Sequence, residues 1–237
     1  MKKTLLVIGL TMATLSLSAQ ERLDFSQPDP ISATPVRSNK LFRHTMNARM
    51  DFSVVPSHDG MEVSASLMPL GFELRPWRNR HYFSMGLAIQ FVDSDLSSSR
   101  YSISDGVLSF NKVENGYLSM ERFGYAIPLT YGFDIGKRKS LEFSVITNLW
   151  RVMKLTNGYK SGEQHEYAKA QGIVQDGVSS AMGAYYNGYN PITVDFSVAY
   201  YPFTNGGFGL KYSPSMLFKK GKGPSYPAFS WSFIARF

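Results

Sequence analysis

The chain contains no cysteine. That excludes a disulfide framework, thiol chemistry and any cysteine-based zinc site, whichever compartment the protein occupies. Charge is sparse as well: Asp, Glu, Lys and Arg make up 18% of 237 residues. Disordered chains combine much charge with few aromatics, whereas here aromatics reach 14%. No apolar run attains the ~18 residues of a spanning helix. The formal net charge is +7, yet Lys and Arg are scattered or fall in turns and form no basic stripe. Nucleic acid is therefore not an expected partner. Basic residues at membrane margins, facing anionic head groups, account for them more simply.

What is present begins with an export pattern. Met1-Lys2-Lys3 is a short positive segment, followed by an apolar stretch over residues 4–17. Ser16, Ser18 and Ala19 supply small residues before a cut that leaves Gln20 first. This is the pattern of a secretory signal peptide over residues 1–19. Residues 20–44 carry Pro28, Pro30 and Pro35 among polar residues and read as an extended periplasmic leader. Residues 45–237 are expected to form one outer-membrane domain.

From Thr45 onward the pattern has period two, the signature of strands. Phe229, Trp231, Phe233, Ala235 and Phe237 alternate with Ser230, Ser232, Ile234 and Arg236. Similar alternation runs over residues 46–54, 83–91, 125–135, 141–149 and 192–200. Residues 68–74 and 208–218 are weaker, because Pro69 and Pro214 disturb the phase. Most of these segments reach the 9–11 residues that a tilted strand needs to cross hydrocarbon. The expected fold class is all-β: an antiparallel up-and-down transmembrane β-barrel of eight strands. Counting back from Phe237 places every even-to-odd turn (75–81, 136–140, 202–207) on one side, and each is short. The connections at 92–116 and 156–190 are long and fall on the other. Outer-membrane barrels sort short periplasmic turns from long outer loops in this way. Asp105-Gly106 signals a hairpin turn inside the first long connection. It makes either a ribbon above the membrane or two further spanning strands, ten in all.

In lipid the apolar face points out and the small, polar face lines the interior. That assignment puts Arg49, Asp51, Glu73, Arg122, Asp134, Glu142, Asp195, Lys211 and Arg236 inside, as a structural charge network. An eight-stranded barrel is filled by its own side chains, so a closed interior is expected and not an open pore. Aromatic belts are expected at both margins: Trp77, Tyr82, Tyr200, Tyr201, Phe203 and Phe237 on the inner side, and Trp150, Tyr185, Tyr186, Tyr189, Tyr226 and Trp231 on the outer.

Candidate chemistry is thin. His44 and His81 fall at the periplasmic end, His58 and His165 outside, and none joins a triad. His58 beside Ser57 and Asp59, and His165 beside Glu163 and Glu166, read as solvated loop polarity. Asp93 and Asp95 lack a full cation ligand set. No catalytic residue, metal or cofactor is expected. The long connection at 156–190 is the candidate interaction loop, with a short helix over 163–179 and exposed Tyr185, Tyr186 and Tyr189 suited to a protein or glycan partner.

The Ser18-Ala19-Gln20 junction, the barrel-length strands and the terminal Phe237 together resemble the small outer-membrane barrels of the Bacteroidota, the broad PorT-like family. The resemblance implies location in the cell outer membrane, contact with its lipids and lipopolysaccharide, and insertion by the outer-membrane assembly machinery. That machinery would recognise the last strand through Phe229, Trp231, Phe233 and Phe237. Three roles follow: a structural or surface-interaction barrel, an accessory of secretion or transport, or a lipid-modifying enzyme, with the first preferred.

Overall fold

The computed structural model describes residues 42–55, 60–76, 80–135, 139–159, 180–224 and 229–237. The signal peptide, most of the leader, the helix expected over 163–179, and Trp77, Tyr226, His58 and His165 lie outside the described residues.

The described chain is all-β. Its strands are β1 (Phe42–Val55), β2 (Gly60–Leu74), β3 (His81–Ser104), β4 (Val107–Asp134), β5 (Ser140–Tyr159), β6 (Ser180–Tyr185), β7 (Ile192–Tyr201), β8 (Gly206–Tyr212) and β9 (Phe229–Arg236). Eight of them form one ring-like antiparallel sheet. Each pairs with its neighbour in sequence, except that β5 passes over β6 to pair with β7. β1 closes the ring on β9, with Asn47 opposite Arg236 and Phe52 opposite Trp231. β6 stands outside the ring, paired with residues 154–158 of β5. The eight-strand expectation holds, and the ten-strand alternative does not. The Asp105-Gly106 hairpin instead lengthens β3 and β4 into a ribbon, with φ of 52° and 72° at the two turn residues.

Alternation explains which way the side chains point. On β3, Phe83, Met85, Leu87, Ile89 and Phe91 are all exposed, while Tyr82, Ala88, Gln90, Val92 and Ser94 are buried. On β9, Phe229, Trp231 and Phe233 are exposed and Ser230, Ser232 and Ile234 buried. Large apolar groups face out and small or polar ones face in, the inverse of a soluble barrel.

Three element boundaries differ from expectation. β1 starts at Phe42, so the last three leader residues belong to the wall, paired with Leu74, Glu73 and Phe72. β2 starts at Gly60, well before Met68. One extra residue at Met68-Pro69 makes a bulge against both neighbours and switches the outward parity from Leu67 to Leu70. β8 ends at Tyr212, not at 218, and Pro214 lies just beyond it.

The two ends of the barrel differ. Both barrel termini and the strand ends at Leu74, His81, Asp134, Ser140, Tyr201 and Gly206 lie at one end, here the turn end; Phe237 N–H donates to Met46 O there. The other, the loop end, carries the β3–β4 ribbon, β6 and residues 213–224.

Candidate functional site: a layered interior under a capped mouth

The interior is best followed from the turn end. Arg75 binds Glu73 at 2.6 Å and Asp134 at 2.9 Å, and its guanidinium lies 4.5 Å from the Tyr82 ring centroid. Arg236 pairs with Glu142 and covers the Tyr201 ring at 3.3 Å. Tyr82 donates to Glu142 Oε1 at 2.8 Å. Glycine makes room for these rings. A Cβ on Gly132 would lie 2.2 Å from Tyr82 Cζ, and one on Gly207 would lie 2.5 Å from Tyr201 Cδ1. Tyr82 and Tyr201, each 1% exposed, therefore seal the turn end from inside and belong to no outer belt. The expectation placed them in the inner belt by their position at the strand ends; their parity turns them into the lumen.

Met68, Ala88, Ala126 and Ile146 form an apolar layer next. A small cavity of about 70 Å³ spans the layers on either side of it, room for a few waters at most.

The middle charge layer centres on Asp51. Arg49 Nε and Ser232 donate to its Oδ1, and Ser64 and Lys211 to its Oδ2, all within 3.0 Å. Arg49 also reaches Ser197 and Ser232, tying β1 to β7 and β9 across the lumen. Lys211 lies 4.0 Å from Asp195, which accepts from Asn148. Above them Arg122 pairs with Glu62 and lies over the Trp150 ring at 4.9 Å. Trp150 donates to Thr193 at 3.0 Å and is buried, so it too leaves the expected outer belt for the interior. Removing one partner of such a buried pair leaves the other charge uncompensated, which is costly.

All nine charges read as inward from the sequence thus take part in interior ion pairs. Glu62 and Arg75 join them, and sequence reasoning missed both. Glu62 shares its parity with Ser64 and Ser66, a signal hidden by starting the strand too late. Arg75 lies just past β2, where alternation no longer applies.

At the loop end the lumen turns apolar. β5 takes an extra residue at Arg151, which brings Met153 and Leu155 inward. They pack with Leu108, Met120, Tyr186, Leu217 and Phe218. Residues 213–224 thereby cap the mouth. Lys219 N–H donates to Gly188 O, Asn190 N–H to Leu217 O, and Leu108 N–H to Lys222 O. Tyr186, expected as an exposed contact, is 5% exposed, and its hydroxyl donates to Lys222 O beneath the cap. Tyr189 donates to Arg151 O, while Tyr185 is 75% exposed. Between the cap and the Arg122 layer lies a chamber of about 430 Å³.

His44 packs edge-on to Phe72, and His81 contacts the Tyr131 hydroxyl at 2.7 Å; both lie on the outer face at the turn end. Asp93 and Asp95 also face out, just beyond the apolar band of β3. Ser119 contacts Asp93 and Tyr117 binds Asp95. Burial, with Asp95 and Glu121 nearby, pushes the Asp93 carboxyl up to about 6. Among the described residues no group of three His, Asp or Glu could hold a metal ion. No family model matches this chain, and no curated protein matches it.

Proposed function

We propose that the protein is exported and set into a bacterial outer membrane as a closed barrel that acts without catalysis, as a structural or surface-interaction protein working through its loop end. The observation that carries this reading is the belt of exposed apolar side chains. Every ring strand contributes: Val54, Leu70, Leu87, Leu129, Val145, Val198, Leu210 and Phe233. Contiguous apolar surface on this scale is rare on soluble monomers. In lipid it is the outer face a barrel requires. From Phe83 to Phe91 the band rises roughly 20 Å, taking ~3.3 Å per residue and a ~40° tilt, near the ~25 Å of outer-membrane barrels.

The interior favours closure over passage, since Arg75, Arg236, Tyr82 and Tyr201 block the turn end and the Asp51 ion pairs cross the middle. The belt would meet membrane lipid and lipopolysaccharide. The assembly machinery would read β9 and Phe237, and exposed Tyr185 would serve a protein or glycan partner. The PorT-like resemblance belongs to this reading and brings no catalytic residue with it.

Fractionation of expressing cells, followed by electrophoresis with and without boiling, tests the proposal. We expect the protein in the outer-membrane fraction, with a folded band that shifts on boiling. A soluble periplasmic pool with no heat-dependent shift would refute it.

A further inference from the structure

At the turn end, charge is sorted by side. The acids of this end, Glu73, Asp134 and Glu142, face the lumen and are met there by Arg75 and Arg236. What remains outside is positive. Among the described residues, the exposed charged side chains at this end are Arg43, Arg80 and Lys139, with exposed His81 next to Arg80. Residues 75–81 and 136–140 together hold six Lys or Arg and no Asp or Glu. The loop end is mixed: Asp95, Asp105 and Glu114 are exposed there along with Lys112, Lys219 and Lys220. The Phe237 carboxylate is a further anion at the turn end, but it belongs to β9, which lies across the ring from β4.

Two of these cations stand close together. Asp134 N–H donates to Arg80 O at 2.7 Å, and Ile135 N–H donates to Lys139 O at 2.9 Å. Arg80 and Lys139 therefore flank the end of β4, their backbones about 10 Å apart at two strand spacings. Ser140 is buried and Phe143 exposed, so Lys139 shares the outward parity of Phe143. His81 stacks on Tyr131 with ring centroids 5.9 Å apart, and Tyr131 is part of the exposed belt. The cations thus form a rim directly above the apolar wall of Phe83, Tyr131, Ile135 and Phe143. A soluble acidic protein would complement the rim and leave the wall uncovered. An anionic phospholipid complements both: its phosphodiester accepts from Arg80 and Lys139, and its acyl chains lie along Phe83 and Phe143. A zwitterionic lipid brings an ammonium, which the same cations repel.

We propose that Arg80 and Lys139 select anionic phospholipid, of the phosphatidylglycerol type, from the leaflet around the turn end. The proposal rests on the membrane reading and names the lipid class that this margin of the belt takes.

The test reconstitutes the full chain in phosphatidylcholine bilayers and follows trace spin-labelled lipids by electron paramagnetic resonance. Lipid lying against a barrel gives a motionally restricted signal whatever its head group. Absence of that signal would sink the membrane reading itself. With the signal present, we expect spin-labelled phosphatidylglycerol to be enriched at the protein over spin-labelled phosphatidylcholine, by up to about fivefold per cation engaged. Arg80→Gln combined with Lys139→Gln should bring the preference close to one. Lys219→Gln combined with Lys220→Gln, on the cap, should leave it intact. About 1 M salt, which shortens the Debye length to ~3 Å, should weaken the preference of the parent; that reading needs no variant and keeps the proposal testable should the rim variant misfold. Equal partition of the two lipids, with restricted lipid present, would overturn the proposal and leave the cations to a soluble acidic partner. So would a preference that survives the rim substitutions, or one lost on the cap substitutions.

Discussion

Gly132 shows how much one missing side chain can decide. It lies opposite Tyr82 in the β3–β4 register, and the Tyr82 ring occupies the space a Cβ would need. Tyr82 cannot give way easily, because Glu142 and Arg236 both hold its hydroxyl. Gly132→Ala should therefore destabilise the folded barrel by about 1–3 kcal/mol, the usual cost of overpacking, read as a lower urea midpoint for unfolding from detergent. Asp93 makes a second prediction at this scale. Its folded carboxyl titrates near 6, above its unfolded value, so the folded state binds the extra proton between the two. The group favours folding below its unfolded value, and that contribution fades as pH rises through 6. Asp93→Asn should raise the melting temperature at pH 8 and leave it nearly unchanged at pH 4. An equal shift at both would contradict a carboxyl raised by burial and by the charges of Asp95 and Glu121.

Among the elements, the cap is the most exposed to test. Phe218 is 2% exposed and packs edge-on to both Phe110 and Tyr186. Phe218→Ala should cost the loop-end cluster about 3 kcal/mol. The loss is local: limited proteolysis should cut within residues 213–224 of the variant but not of the parent, while the heat-modifiable band remains. The cap also marks where sequence reading stops. Residues 83–91 were legible as a strand because one parity holds throughout. Residues 60–67 were not, since the bulge at Met68-Pro69 reverses parity and the segment before it carries Glu62, Ser64 and Ser66 inward. β5 beyond Leu149 was obscured in the same way by the extra residue at Arg151. Phe218 keeps the even parity of Phe208, Leu210 and Tyr212 past Pro214, yet it and Leu217 turn across the mouth because Leu108, Met153 and Tyr186 offer them an apolar seat there. Nine charges of the network were legible from parity; Glu62 and Arg75 were not. The chamber was not, because it exists only where residues 213–224 fold over side chains from β2, β3, β4, β5, β7 and β8.

At the scale of the molecule, the ring, its interior closed at both ends and its apolar outside make one consistent object. Arg75, Arg236, Tyr82 and Tyr201 close the turn end, and Leu217 and Phe218 close the loop end. Purified protein added to planar bilayers should give no large, steady channel; persistent high conductance would contradict a closed interior. Contact between the outer face and lipid can be read directly, because the chain has no native cysteine. Spin labels on single cysteines at Met85, Leu129, Val145 and Val198, all exposed and on four different strands, should collide with oxygen and be shielded from a water-soluble nickel relaxant in bilayers. A label at exposed Ser104, beside the ribbon turn, should show the reverse. Free access of the nickel relaxant to the four outward sites would mean that the outer face does not meet lipid.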